Sequence, residues 1–410
     1  MSSDDIILQP RTGQTVEAQP APSSTVPLVL SHQRLQTAEE LEAERPVWDD
    51  WVAQRYDGNP FLSLDWHLVW LKHFAAPPVE VHYIKVSDQD KPVAYFPLVL
   101  KRESFHGVKV RTLRYAGNMY SPINSPLFGV ADAAPIFDYF VQHVLTTIPW
   151  HLFRGGNLPP EYPGPVELYQ AFQKAGYASY LDEDRANWVY HNEGITAEEF
   201  YSHLGRRLRQ DIRQSSSRLA KAGDFQFRLV TSDLTPKDVE DYKLAYNRSW
   251  RNSESYPAFH PELMEVMARR GVLRLGLFYL NQRPIATAMW LFRQGRGYAV
   301  KMAYDEAFEG FNPGKALMWM MVERLMKDDA MTFFDYLKGD HEWKKRWTNT
   351  RRTRSWLLAF QKGPTGKTLH FMDQRLLPWI RRNRFLDACK RKAGFWLQRR
   401  RARDGRTEGQ

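Results

Sequence analysis

The chain has 410 residues, room for two domains of ordinary size, and its 43% hydrophobic and 14% aromatic content lets most of it fold around a core. A single cysteine, Cys389, excludes an internal disulfide framework and a cysteine-rich zinc site, and no His/Asp/Glu spacing suggests another metal centre. The net charge of +10 is local: residues 375–410 carry 12 Lys or Arg against 3 Asp or Glu, so the rest is near neutral, which argues against a nucleic-acid-binding fold throughout.

Residues 1–33, rich in Ser, Thr, Pro and Gln, read as a disordered leader. Asp4 and Asp5 do not fit the basic-then-apolar order of a secretory signal, and no run approaches the roughly 18 apolar residues of a membrane span, so a cytoplasmic protein is expected. Residues 34–188 form the first unit. Thr37 and Glu40 have capping-box spacing, and residues 62–74 read as a helix with Ser63 as its cap and Leu64, Leu68 and Leu71 on one face. A three-strand meander over 80–115 follows, then a loop to 131, a helix over 133–147, a strand over 150–154, a helix over 165–176 closed by Gly176, and a strand over 177–182.

The second unit, 189–362, opens with Thr196, Glu198 and Glu199 at a helix start. Leu204, Leu208, Ile212 and Leu219 share one face of the following helix, with arginines largely elsewhere, and Gly223 stops it. Then come a strand over 225–230, helices over 236–250 and 261–270, a meander over 272–304, a helix over 313–327, a strand over 332–337, a short helix over 341–347 and a strand over 353–360. That order gives an α+β layer with a largely antiparallel sheet and one helical crossover. A basic amphipathic tail, 363–410, closes the chain; its Trp and Arg content over 367–403 suits an anionic membrane surface, the body of the protein or an acidic partner.

The two units repeat one pattern. Lys91-Pro92-Val93-Ala94 and Arg283-Pro284-Ile285-Ala286 each follow a polar turn between two apolar runs. A third run, a helix and a strand reaching glycine follow each time: His151 to Gly155, and Asp335 to Gly339. A repeat of this length is a duplicated domain, and duplication lets one copy keep a ligand site while the other becomes scaffold.

Tyr304-Asp305, then Asn312-Pro313-Gly314-Lys315, then Phe334 to Asp340 followed by Trp343-Lys344 and Trp347 complete the pattern. In these features the second unit resembles the GNAT acyltransferases, and the pair resembles the Fem-type peptidyltransferases and the CelD-type acetyltransferases of cellulose biosynthesis. The resemblance implies duplicated GNAT-like domains, each a mixed, largely antiparallel sheet flanked by helices. It implies acetyl- or acyl-coenzyme A as co-substrate, an amine or hydroxyl acceptor such as a saccharide made at the inner face of the membrane, and contacts to the donor from Tyr304, Asn312, Gly314, Lys315 and Lys344. The loop from Asp305 to Gly314 departs from the GNAT pattern in having only Gly310 and Gly314. That departure keeps open a Fem-type transferase using aminoacyl-tRNA, the one reading with a nucleic-acid partner, and a non-catalytic accessory of a polysaccharide synthase.

The helix after Asn312 offers unpaired N–H groups and a dipole to a phosphate, with Pro313 in the first turn and Lys315 adding charge; a well-capped buried helix has the same sequence. Acyl transfer to an amine needs a base, for which Asp335, Asp340, His341 and Glu342 are candidates, and Tyr336 can return a proton to the leaving thiolate. Strand alternation puts Asp335 and Tyr336 on opposite faces, and leaves Asp340, past Gly339, freer to enter a cleft or to cap the next helix.

Overall fold

The computed structural model describes residues 28–249, 254–376 and 379. The first copy runs β1 (Leu30–Leu35), α1 (Ala38–Ala43), α2 (Arg45–Arg55), α3 (Leu64–Phe74), β2 (Glu80–Asp88), β3 (Lys91–Phe105), β4 (Val108–Tyr115), β5 (Leu127–Phe128), α4 (Ala134–Tyr139), β6 (Leu152–Leu158), α5 (Pro165–Lys174) and β7 (Ala178–His191). The second runs α6 (Ala197–His203), α7 (Arg206–Ala222), β8 (Phe225–Val230), α8 (Pro236–Asn247), α9 (Phe259–Arg269), β9 (Leu273–Leu280), β10 (Arg283–Arg293), β11 (Arg296–Tyr304), α10 (Pro313–Asp328), β12 (Phe333–Lys338), α11 (Glu342–Lys345) and β13 (Thr350–Phe360), with α12 (Pro364–Phe371) after it.

Local chemistry explains most element starts. Thr37 accepts from the Glu40 N–H while Glu40 accepts from the Thr37 N–H, and Thr196 with Glu199 repeats the arrangement. Ser63 caps α3 through the Trp66 N–H. Gly176 takes the left-handed φ of 74° that ends α5. The helix expected after Thr196 breaks at Gly205 into α6 and α7, yet Leu204, Leu208, Ile212 and Leu219 are all buried as the periodicity requires. The leader departs from expectation: Leu30–Leu35 is an edge strand, antiparallel to β2, whereas residues 1–27 lie outside the described ones.

All the strands of the described residues join one sheet in the order β1-β2-β3-β4-β6-β13-β7-β12-β11-β10-β9-β8, with β5 beside β3. The closing strands are exchanged. β7 of the first copy pairs with β12 of the second, β13 of the second pairs with β6 of the first, and β7 and β13 form the central ladder. The strand expected over 177–182 therefore extends to His191, across residue 188. Its Asp182-Glu183-Asp184 run carries no strand pattern of its own; pairing of Asp182 and Glu183 with Trp356 and Ser355 of β13 holds it extended. A shared core includes Phe61 and Trp66 of the first copy and Phe259 and Tyr298 of the second, with Trp66 edge-on to Phe259 at 5.7 Å.

Each copy repeats one irregularity. In the second, β11 and β12 run parallel but pair only over Arg296–Tyr298 and Phe333–Asp335, then diverge. In the first, β4 and β6 pair only over Thr112–Arg114 and Leu152–Arg154. Beyond each split lies a bulge. Tyr336 and Leu337 fall between the paired Asp335 and Lys338, and Gly156 and Asn157 between Gly155 and Leu158. Leu337 and Asn157 both take left-handed φ, 60° and 57°. The register thus places Gly156 where the second copy has Tyr336.

Candidate active site

The diverging strands of the second copy open a cleft of about 1120 Å³. One wall is β11 from Ala299 to Met302; the other is Tyr336, Leu337 and Lys338 of β12, continued by His341 and Trp343. The first copy closes the far side with Tyr120, Pro122 and Asn157. In the ladder with β10, Lys301 faces Met289 and Ala299 faces Trp290, so Val300 is the extra residue of a bulge on the cleft wall.

Phe334 and Tyr336 enter the core beneath α10, and Phe333 and Leu337 the shared core, as alternation predicts. Tyr336 packs edge-on to Trp290 and Trp343 at 6.0 and 5.2 Å. Its hydroxyl is buried, lacks a partner among the described residues, and lies on a residue lining the cleft. Burial raises its pKa well above the ordinary tyrosine value, so it stays protonated. Lys344 is buried and donates to the carbonyls of Tyr336, Leu337 and Lys338 at 2.8, 3.0 and 2.9 Å. Burial lowers its pKa to about 8; the three carbonyl dipoles favour the charged form. Its three donors are committed to the bulge, so it fixes the cleft wall and has no donor left for a phosphate.

Of the five proposed proton-transfer residues, the fold brings Tyr336 and His341 to the cleft and turns Asp335, Asp340 and Glu342 elsewhere. Asp335 is buried; it accepts from Asn187 at 2.8 Å, from its neighbour Leu337 N–H at 2.5 Å and from Arg354 at 3.1 Å. Asp340 accepts from the Trp188 indole at 2.8 Å and faces Lys345. It does not cap α11, whose N-cap is His341. Glu342 is exposed and paired with Lys345.

Tyr304, Asn312, Gly314 and Lys315 meet at the start of α10, with two departures from expectation. Asn312 makes no side-chain cap; it turns the chain with a left-handed φ of 56°, and its carbonyl accepts from Ser215 at 3.0 Å. Gly314 is buried, and a Cβ there would come within 3.3 Å of the Tyr304 ring, so packing is what requires glycine. Lys315 is paired with Asp211 of α7 at 2.6 Å, and Arg218 of α7 reaches the Gly310 carbonyl at 3.1 Å.

A polar cluster deeper in the cleft went unread in the sequence. Glu254 accepts from Lys301 at 2.5 Å and from the Tyr120 hydroxyl at 2.6 Å, beside the buried His260. Burial pushes the Glu254 carboxyl up, but bonds from Lys301, Tyr120 and Tyr246 outweigh it and bring the pKa down to about 2 from 4.5. A depressed carboxylate stabilises the fold above its unfolded pKa and loses that contribution as pH falls through the folded value. The stability difference between wild type and Glu254→Gln is therefore expected to be full above pH 4.5, on the order of 3 kcal/mol, and to close between pH 4.5 and about 2. Urea unfolding at stepped pH measures it; a difference independent of pH contradicts it.

Residues 206–345 match the family model described as an acetyltransferase (GNAT) domain. This segment, 140 of the 410 residues, is similar to a GNAT-fold acyltransferase domain. No curated protein matches the chain. Among solved structures, FemX covers 83% of this chain and 100% of its own at 10% identity, with a TM-score of 0.55. L-PGS from Bacillus licheniformis covers 83% and 97% at 12% identity, with a TM-score of 0.48. A tandem GNAT protein from the clavulanic acid biosynthesis pathway covers 82% and 99% at 11% identity, with a TM-score of 0.47. FemX shares the fold across both copies; at such identity the likeness extends no further. Among the described residues no helix is long and apolar enough to cross a membrane, and no group of His, Cys, Asp and Glu is arranged to hold a metal ion.

Proposed function

We propose that the second copy transfers an acyl group from an acyl-coenzyme A thioester to an amine or hydroxyl acceptor. The observation that carries this reading is the open edge between β11 and β12, with the bulged Val300 on one wall and Tyr336 on the other. The thioester lies between the strands, and its carbonyl oxygen, as it gains charge, accepts from backbone N–H groups at the bulge. The acceptor enters from the first-copy side and attacks directly, forming a C–N or C–O bond as the C–S bond breaks. His341 takes the acceptor's proton, and Tyr336 gives one to the departing thiolate. No covalent enzyme intermediate is needed. The pyrophosphate of the donor sits at the start of α10, near Lys315 and Arg218. The CelD-like motif order supports a saccharide acceptor, and the basic tail supports contact with an anionic membrane surface or an acidic partner.

One observation favours a second reading, transfer from aminoacyl-tRNA. The loop before α10 carries Asp305, Glu306 and Glu309, and Lys315 is already paired, an acidic setting for a pyrophosphate. Thermal unfolding with acetyl-coenzyme A, a long-chain acyl-coenzyme A and bulk tRNA separates the two. The expected result is stabilisation by a thioester, about 2.7 kcal/mol at a hundredfold excess over Kd, lost in Lys315→Glu. A salt-sensitive response to tRNA alone transfers the assignment to the second reading. No response to any of the three overturns both.

A further inference from the structure

The bulge on β11 changes which side of the sheet its residues face. Tyr298 pairs with Leu291 and Ala303 with Thr287, and both Tyr298 and Ala303 enter the shared core. Ala299, Met302 and Tyr304 pack on the other side, against the core beneath α10. Strict alternation from Ala299 would send Lys301 to that apolar side as well, opposite Ala288. The extra residue at Val300 instead sets Lys301 opposite Met289, whose side chain belongs to the shared core, so the ammonium leaves the sheet on the side of the first copy.

The surroundings on that side suit a cation. The Lys301 ammonium donates to Glu254 at 2.5 Å and to the Tyr246 hydroxyl at 3.4 Å, and lies over the Tyr120 and Tyr246 rings at 5.4 and 5.3 Å. Tyr120, on the first-copy loop that closes the cleft, donates to the other oxygen of Glu254 at 2.6 Å. A one-residue slip that erased the bulge would break all of these contacts. It would also place the ammonium among Ala288, Trp290 and Met318, where an unpaired charge is costly. The first copy supplies a contrast. Counting from the last paired residue of each split, Tyr298 and Arg114, Gly117 stands where Lys301 does, and β4 pairs with β3 without a register shift.

We propose that Lys301, held by Glu254 and Tyr120, is a register lock: a positioning residue that keeps the bulge at Val300 in place. Its part in catalysis rests on the proposed acyl transfer, in which the bulge N–H groups receive the thioester oxygen; the lock itself does not. The charge acts through the arrangement it forbids. A regular ladder without the bulge is open to an apolar residue at position 301 and closed to a lysine. The first copy thereby supports the chemistry without touching the reacting atoms, because Tyr120 orients the carboxylate that holds the lysine.

Hydrogen exchange on the full chain, read by mass spectrometry, tests the lock without requiring turnover. In Lys301→Met the amides of residues 298–303 are expected to exchange about tenfold faster than in wild type or more, with those of α10 and the β7–β13 ladder unchanged. Lys301→Arg, whose charge is equally excluded from the core, is expected to keep wild-type rates. If Lys301→Met does not fold, combining it with Glu254→Gln leaves no stranded carboxylate, and the same local acceleration is expected. Thiol release from acetyl-coenzyme A, with glucosamine as the acceptor, gives the second readout. Its kcat is expected to fall about tenfold or more in Lys301→Met, with the Kd for acetyl-coenzyme A little changed, and to recover in Lys301→Arg. Unchanged exchange, or acceleration spread over the whole chain, overturns the lock. Local acceleration with wild-type kcat overturns its part in catalysis. A wild-type protein that neither binds nor turns over the thioester overturns the acyl-transfer reading and leaves the lock standing on the exchange result.

Discussion

Replacing Tyr336 by Phe is expected to lower kcat by about 10²- to 10⁴-fold, the usual contribution of a positioned general acid, while leaving the fold at least as stable. The two effects separate because the hydroxyl has no partner among the described residues. Removing it breaks no hydrogen bond and relieves the burial of an unpaired donor, worth roughly 1 kcal/mol in favour of the variant. The ring keeps its packing against Trp290, Phe334 and Trp343. Donors with better leaving groups supply the decisive readout. An aryl thioester departs without a proton, so the variant should approach wild-type rates on it and remain slow on an alkyl thioester. Since burial holds the Tyr336 pKa well above that of free tyrosine, wild-type activity should not fall near pH 10 through ionisation of this residue. An equal loss on both donor types, or a rate loss that tracks a fall in unfolding temperature, removes Tyr336 from the chemistry.

The repeat was legible because hairpins are local. Lys91-Pro92 and Arg283-Pro284 open β3 and β10, each preceded by its antiparallel partner, and the turn residues stand next to the runs they connect. Caps were legible for the same reason: Thr37 and Glu40 are three residues apart. The strand exchange was not. Nothing in Ala178–His191 names partners more than a hundred residues away, and the acidic run at its centre reads as a loop until β13 pairs with it. The site was half legible. The strand carrying Tyr336 and the helix opening at Pro313 follow from motif order. The left-handed φ of Leu337 does not, because a leucine is a poor signal for that conformation. Nor does the role of Lys344, whose three acceptors are backbone carbonyls common to any sequence. Glu254 and Lys301 are 47 residues apart, and only the shared cleft unites them with Tyr120.

Asp335→Ala is expected to destabilise the fold by about 3–5 kcal/mol, the cost of leaving a buried charge without its partner. The Asp335 and Arg354 side chains are only 5% and 4% exposed. The carboxylate receives Arg354, Asn187 and the N–H of Leu337, and the guanidinium also reaches the Pro122 carbonyl of the first copy. One ion pair thus ties the bulge of β12, the exchanged strands β7 and β13, and the loop that closes the cleft. Removing both charges together, as Asp335→Ala with Arg354→Met, should cost at least 2 kcal/mol less than the two single losses added, because neither charge is then stranded. Denaturant unfolding of the four proteins gives the coupling directly. Activity separates this role from that of a base. With saturating substrates and well below the unfolding transition, a structural Asp335 allows kcat within about tenfold of wild type, whereas a base would cost 10²-fold or more with stability largely intact. The geometry requires the first pattern: three donors already occupy the carboxylate, and the residue does not line the cleft. Additive single effects would mean that the pair is not a coupled unit, and that the two copies are held together chiefly by the β7–β13 ladder and the shared apolar core.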